Sequence, residues 1–84
     1  MEIKVYRGVK PEGERVSLEG TEAVYEDMHC PLNPDYSSIE TVLVMAEAML
    51  DLKGITVRDG DILTADGTPY FKDGLTYKRM EKEV

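Results

Sequence analysis

The chain has 84 residues, enough for one domain with a thin core, spanning 1–84. Its 17 Asp and Glu against 10 Lys and Arg leave a net charge of -7, which repels phosphate backbones and argues against nucleic acid as the main partner. One cysteine, Cys30, excludes an internal disulfide framework and any multi-cysteine metal centre within one chain.

The opening stretch 1-MEIKVYRG-8 has no long apolar run, so no signal peptide is expected. The longest apolar-rich stretch, 42-VLVMAEAML-50, is interrupted by Glu47 and too short to cross a bilayer. The expectation is a cytoplasmic protein with no membrane contact. The chain holds one Asn, Asn33, and no Gln, a bias shared with heat-adapted proteins.

Residues 2–8 alternate, with Ile3, Val5 and Arg7 on one face and Lys4 and Tyr6 on the other, which predicts a half-buried strand. Residues 8–14 hold two glycines and a proline and read as a turn. A second strand is expected over 15–20, with Val16 and Leu18 pointing together, and a third over 22–28, whose faces separate poorly. Joined by short turns, these three make an N-terminal meander. Residues 29–36 carry Pro31 and Pro34, which neither helix nor central strand tolerates, so they form a loop.

A helix follows over 39–53. Ser37 with Glu40 has capping-box spacing, Ser38 is the alternative cap, and Gly54 supplies the stop. At about 100° per residue, Ile39, Val42, Leu43, Ala46, Met49 and Leu50 form one stripe, widened by Met45 and Leu52. Glu40, Glu47 and Asp51 form a narrow polar ridge opposite, with Val44 beside it. The apolar arc covers roughly half the circumference, more than a helix lying on one sheet requires. The excess makes Val44, Met45, Met49 and Leu52 candidates for an interface with a protein partner or a second copy.

The last third holds Asp59-Gly60, Asp66-Gly67 and Asp73-Gly74 at intervals of seven. Each pair suits a two-residue hairpin turn, because Asp and Gly both tolerate positive φ. Four strands are expected, over 55–58, 61–65, 68–72 and 75–80. The implied register pairs Leu63 with Tyr70, Tyr70 with Tyr77, Phe71 with Thr76 and Val57 with Ile62. Leu63, Ala65, Tyr70, Leu75 and Tyr77 then share one face, and Ile55, Val57, Ile62 and Phe71 the other. Pro69 spoils the middle turn, since it has no N–H for a strand paired on both sides. A longer loop over 64–69 is therefore expected there, with the outer turns firm.

The fold expected is α+β: an antiparallel, curled or partly closed sheet of five to seven short strands packed on one central helix.

Three chemistries compete for the site. Asp59, Asp61 and Asp73 are oxygen ligands of the kind a hard divalent cation needs, but a calcium-loop pattern is missing beyond Asp59 and Asp61. Turn formation explains the same residues. His29 and Cys30, near Asp27 and Asp35, offer a thiol or ligand loop, although adjacent side chains rarely meet. An acidic N-terminal half suits a basic protein partner. No phosphate loop, dinucleotide fingerprint, nucleophile elbow or zinc ribbon is present, and no cofactor is implied. The expected role is a protein-interaction or accessory subunit. The alternatives are a divalent-cation module or a small enzyme built on a carboxylate or Cys30.

Overall fold

A computed structural model describes residues 1–32 and 38–82. The elements are β1 (Glu2–Tyr6), β2 (Arg15–Val16), β3 (Tyr25–His29), α1 (Ile39–Leu52), β4 (Ile62–Ala65), β5 (Thr68–Asp73), β6 (Thr76–Arg79) and β7 (Glu81–Lys82). The fold is α+β. A five-stranded antiparallel sheet has the order β3-β1-β4-β5-β6, and β2 with β7 makes a separate two-residue parallel pair. The sheet is not closed: β3 and β6 are its edges.

The helix forms where the apolar spacing places it. Ser38, the alternative cap, is the one used, its Oγ accepting from the Thr41 N–H at 3.2 Å; Ser37, the first candidate, lies outside the described residues. At the other end Gly54 takes φ 83°, the Gly54 N–H reaches Asp51 O at 3.0 Å, and the Ile55 N–H reaches Leu50 O at 3.0 Å. These are the paired bonds of a Schellman stop, and Ile55 packs into the same apolar cluster as Leu50 and Met49.

Val42, Leu43, Ala46 and Leu50 of α1 bury against Ile3, Val5, Met28, Leu63, Ala65 and Tyr70 of the sheet. Strand alternation explains the set: each is on the helix side of its strand. β3 keeps this side only through a bulge. Ile3 pairs with Met28 and Val5 with Tyr25, so two residues, Glu26 and Asp27, oppose Lys4 alone. The extra residue puts Tyr25 and Met28, three apart in sequence, on one face.

The reverse face is covered by the chain itself. Val16 and Met80 bury with Ile62, and Tyr6, Val9, Leu18 and Phe71 pack around them. The segment 8–22 is therefore a cover rather than a strand of an N-terminal meander. Tight glycine turns cut its strand short: Glu12 and Arg15 exchange backbone bonds of 2.8 and 3.0 Å across Gly13, and the Thr21 N–H returns to Leu18 O at 3.1 Å. Only Arg15 and Val16 stay extended, against β7.

The three Asp-Gly pairs resolve into three different turns. Asp66 (φ 48°) and Gly67 (φ 87°) are both left-handed, as a two-residue type I′ hairpin requires, and Ala65 pairs directly with Thr68. The longer loop expected over 64–69 is thus corrected. Pro69 fits because its C=O accepts from Met80 at 2.9 Å. Its missing N–H points the same way, toward the place where β6 has already ended.

Asp59-Gly60 joins no two strands, since 55–58 is not a strand. The Asp61 N–H bonds Arg58 O at 3.0 Å, and within that turn only Gly60 has positive φ, the pattern of a type II turn. Ile55 and Val57 consequently pack on the helix side with the main core, not beside Ile62 and Phe71.

The last hairpin shifts by one residue. Asp73 pairs with Thr76, Lys72 with Tyr77 and Phe71 with Lys78, so the turn is Gly74-Leu75. Gly74 takes φ 62° and Leu75 does not, as type II′ demands. The shift displaces each partner by two positions, so Tyr70 and Tyr77 still share the helix side. Leu75, expected on that face, instead sits at the turn, 96% exposed.

Candidate functional site

The side of α1 turned away from the sheet is not wholly polar. Val44, Ala48 and Leu52 recur every fourth residue along it, and Met45 lies beside them. Val44 is 51% exposed, Met45 42% and Leu52 89%. Met49 turns inward and packs half-buried on the core, so of the four expected interface residues three face water. The carboxylates Glu40, Glu47 and Asp51 lie along one flank, and the helix carries no cation. Between this flank and the segment after the helix runs a groove of about 360 Å³, lined by Val44, Glu47, Ala48, Asp51, Thr56 and Val57.

One end of the groove meets a polar cluster on the sheet. Glu47 forms an ion pair with Lys72 of β5, and both side chains are largely covered. Glu47 Oε1 is enclosed and has no other polar partner among the described residues. The Lys72 ammonium lies 5.8 Å from the centre of the Tyr77 ring, within cation–π range. Burial holds the Lys72 amine below its ordinary pKa. Burial pushes the Tyr77 phenol up to about 12, with the Asp61 charge adding to the effect, and its hydroxyl has no hydrogen-bond partner among the described residues.

Asp61 anchors the neighbouring corner. It is 3% exposed. Its carboxylate takes Arg7 Nε at 3.2 and 3.3 Å, Arg7 Nη2 at 3.0 Å and the Arg58 N–H at 2.9 Å. Arg7 Nη2 also donates to Thr56 O at 2.7 Å. The hydrogen bond to Asp61 raises the Arg7 pKa, against the opposing effect of burial.

The other sequence candidates are dispersed. Asp59 is exposed on the turn beside Asp61, and Asp73 is exposed at the start of the β5–β6 turn. No group of three or more His, Cys, Asp or Glu side chains gathers to hold a metal ion among the described residues. His29 and Cys30 follow strand alternation and diverge: the His29 side chain is exposed, while Cys30 is 1% exposed and its Sγ lies 3.7 Å from Val42 O. Asp27 is exposed on β3, and Asp35 lies outside the described residues. Among the described residues no helix is long and apolar enough to cross a membrane.

Sequence reasoning missed Lys72, Tyr77 and the Arg7–Asp61 pair. Arg7 and Asp61 are 54 residues apart, so no local spacing links them. One signal existed: Arg7 falls on the inward parity of β1, where a charge requires a counter-ion. Compared with protein families, curated proteins and solved structures, the chain matches none.

Proposed function

We propose that this chain is a cytoplasmic protein-interaction subunit whose partner docks along the outer side of α1. The observation that carries the reading is the exposed stripe of Val44, Met45 and Leu52 on a helix whose opposite side is already core. A helix that is apolar on both sides is normally buried on both. Full burial of a Val, Leu or Met side chain is worth about 1.5–3 kcal/mol, so the stripe offers roughly 4 kcal/mol in gross terms. Association costs at least about that much, which suits a partner that adds contacts of its own and binds reversibly.

Charge selects the kind of partner. The flank of the stripe carries Glu40 and Asp51 with no compensating cation on the helix, and the chain is at -7. A second copy would bring like charge to like charge. A basic, amphipathic protein segment would place its apolar side on the stripe and its cations on the carboxylates.

The test is an NMR titration with two synthetic amphipathic helices of equal apolar content, one Lys-rich and one Glu-rich. The Lys-rich peptide should shift Val44, Met45, Ala48, Asp51 and Leu52 saturably, and Leu52→Lys should abolish the effect. Equal response to both peptides, or none at those residues, would refute the reading. Sedimentation in the micromolar range should show a monomer; a dimer lost on Leu52→Lys would replace the basic partner by a second copy.

A further inference from the structure

A second cleft lies at the other side of the Asp61 corner, between the end of β1 and the 58–61 turn. It has a volume of about 450 Å³, and its walls include Arg7, Val9, Lys10, Pro11, Arg58 and Phe71. That volume lies within the range of small-ligand sites, as does the mixture of apolar walls with a few polar groups. Three of the chain's 10 Lys and Arg line this one cleft, on a protein of net charge -7. Asp59 and Asp61 also line it, but the Asp61 carboxylate is already engaged by Arg7 and the Arg58 N–H.

Arg7 is the informative residue. Its Nε is fixed by Asp61, and its Nη2 is divided between Asp61 and Thr56 O. A guanidinium has five N–H donors in one plane, so the two on Nη1 have no partner among the described residues. They are held in place by the bonds on the other nitrogens, which removes much of the ordering cost of receiving an anion. Lys10 and Arg58 form no ion pair among the described residues, and both side chains are exposed at the rim. Val9, Pro11 and Phe71 offer apolar surface beside these donors.

We infer that this cleft binds a small organic anion with a ring-sized apolar body, a carboxylate being the simplest case. The anionic group meets Arg7 Nη1 with Lys10 and Arg58, and the body lies against Val9, Pro11 and Phe71. The larger cavity at the β5–β7 side, about 740 Å³, lacks this pairing: Glu14 and Glu81 stand in it against Arg79 and Lys82.

The experiment titrates the full chain with benzoate, acetate and benzyl alcohol, followed by amide NMR. Benzoate should shift Val9, Gly60 and Phe71 saturably. Acetate should bind more weakly for want of a body, and benzyl alcohol should not bind for want of a charge. Arg58→Ala and Lys10→Ala should each leave the fold intact, since both side chains are exposed and neither holds an ion pair among the described residues, and each should weaken benzoate about tenfold. Arg7→Lys keeps the charge but loses the fixed fork, and should weaken benzoate further. Should Arg7→Lys unfold, the two rim variants decide the matter. Benzoate shifts that avoid the cleft, or affinity unchanged in both rim variants, would overturn the proposal. The two readings use different reporters, Val44, Met45 and Leu52 on the helix against Val9 and Phe71 in the cleft, and different variants, so either reading can fail alone.

Discussion

Asp61→Asn tests how the Asp61 corner holds the fold together. Asp61 is buried and satisfies one guanidinium and one backbone N–H. Breaking a buried pair by removing one partner typically costs about 3–5 kcal/mol, because the remaining charge is stranded. The Arg7 side chain is 35% exposed and recovers part of its hydration. The Asn carbonyl also keeps one acceptor. The expected loss is therefore about 2 kcal/mol, against a total of roughly 4–12 kcal/mol for a chain of this size. Urea unfolding would show the midpoint falling by about 1–2 M with unchanged slope. The same variant has a second readout. Removing the Asp61 charge should lower the Tyr77 pKa from about 12 while leaving it above 10.0, because burial is the larger cause. Ring-labelled NMR follows the phenol directly. A loss under about 0.5 kcal/mol together with an unmoved Tyr77 would refute the reasoning, since the corner would then be neither enclosed nor coupled.

Tyr77 also predicts a pH dependence. Its folded pKa lies above the unfolded value, so its contribution is intact below pH 10.0 and falls as pH rises through about 12. Partial solvent screening of the half-buried ring limits the change to about 1–2 kcal/mol, and Tyr77→Phe should flatten that part of the stability curve. Gly67→Ala adds a methyl that meets Lys82 Nζ at 3.7 Å, an ordinary contact distance, so the cost is the left-handed backbone alone. About 1 kcal/mol is expected by urea unfolding. Replacing Glu47 and Lys72 together by Leu and Met should be neutral or stabilising, whereas Lys72→Met alone should destabilise. A double-mutant cycle measures the difference.

The helix and the Leu63–Tyr70 pairing were legible because their signals are local, whereas the tight turn at Asp66-Gly67 was not, Pro69 having pointed to a longer loop there. Ser38, the apolar period and Gly54 sit within one segment, and the pairing of Leu63 with Tyr70 follows from the turn between them. The bulge in β3 was not legible, since it depends on which strand lies alongside; its trace was the poor separation of faces over 22–28. The three Asp-Gly pairs look alike in sequence, and only the neighbouring structure decides whether the turn is I′, II or II′. The cover over 8–22 was hidden for the same reason: Val16 and Leu18 alternate like a strand while packing on a sheet they do not extend. At the candidate surface, Val44, Met45 and Leu52 were legible from helical spacing alone. Lys72, Tyr77 and Arg7 were not, because their partners come from distant segments.

That cover leads to a last prediction. Segment 8–22 is tied to the rest of the chain by few backbone bonds: the Glu81 N–H to Glu14 O at 2.8 Å and the short β2–β7 pair. The Lys78–Glu14 ion pair, at 4.0 Å and largely exposed, adds little. Its main tie is the burial of Val16 and Met80 on Ile62. Met80→Ala removes one of the three. Such changes cost about 2–5 kcal/mol, and the lower end applies where a loop can settle into the space. If the cover opens on its own, that loss appears locally. The Arg15 and Glu81 amides should then exchange with solvent about 30-fold faster, while helix amides such as Val42 stay near the global limit. Equal acceleration at Arg15, Glu81 and Val42 would mean that the two faces of the sheet unfold as one unit, and the cover would have to be counted as part of the central core.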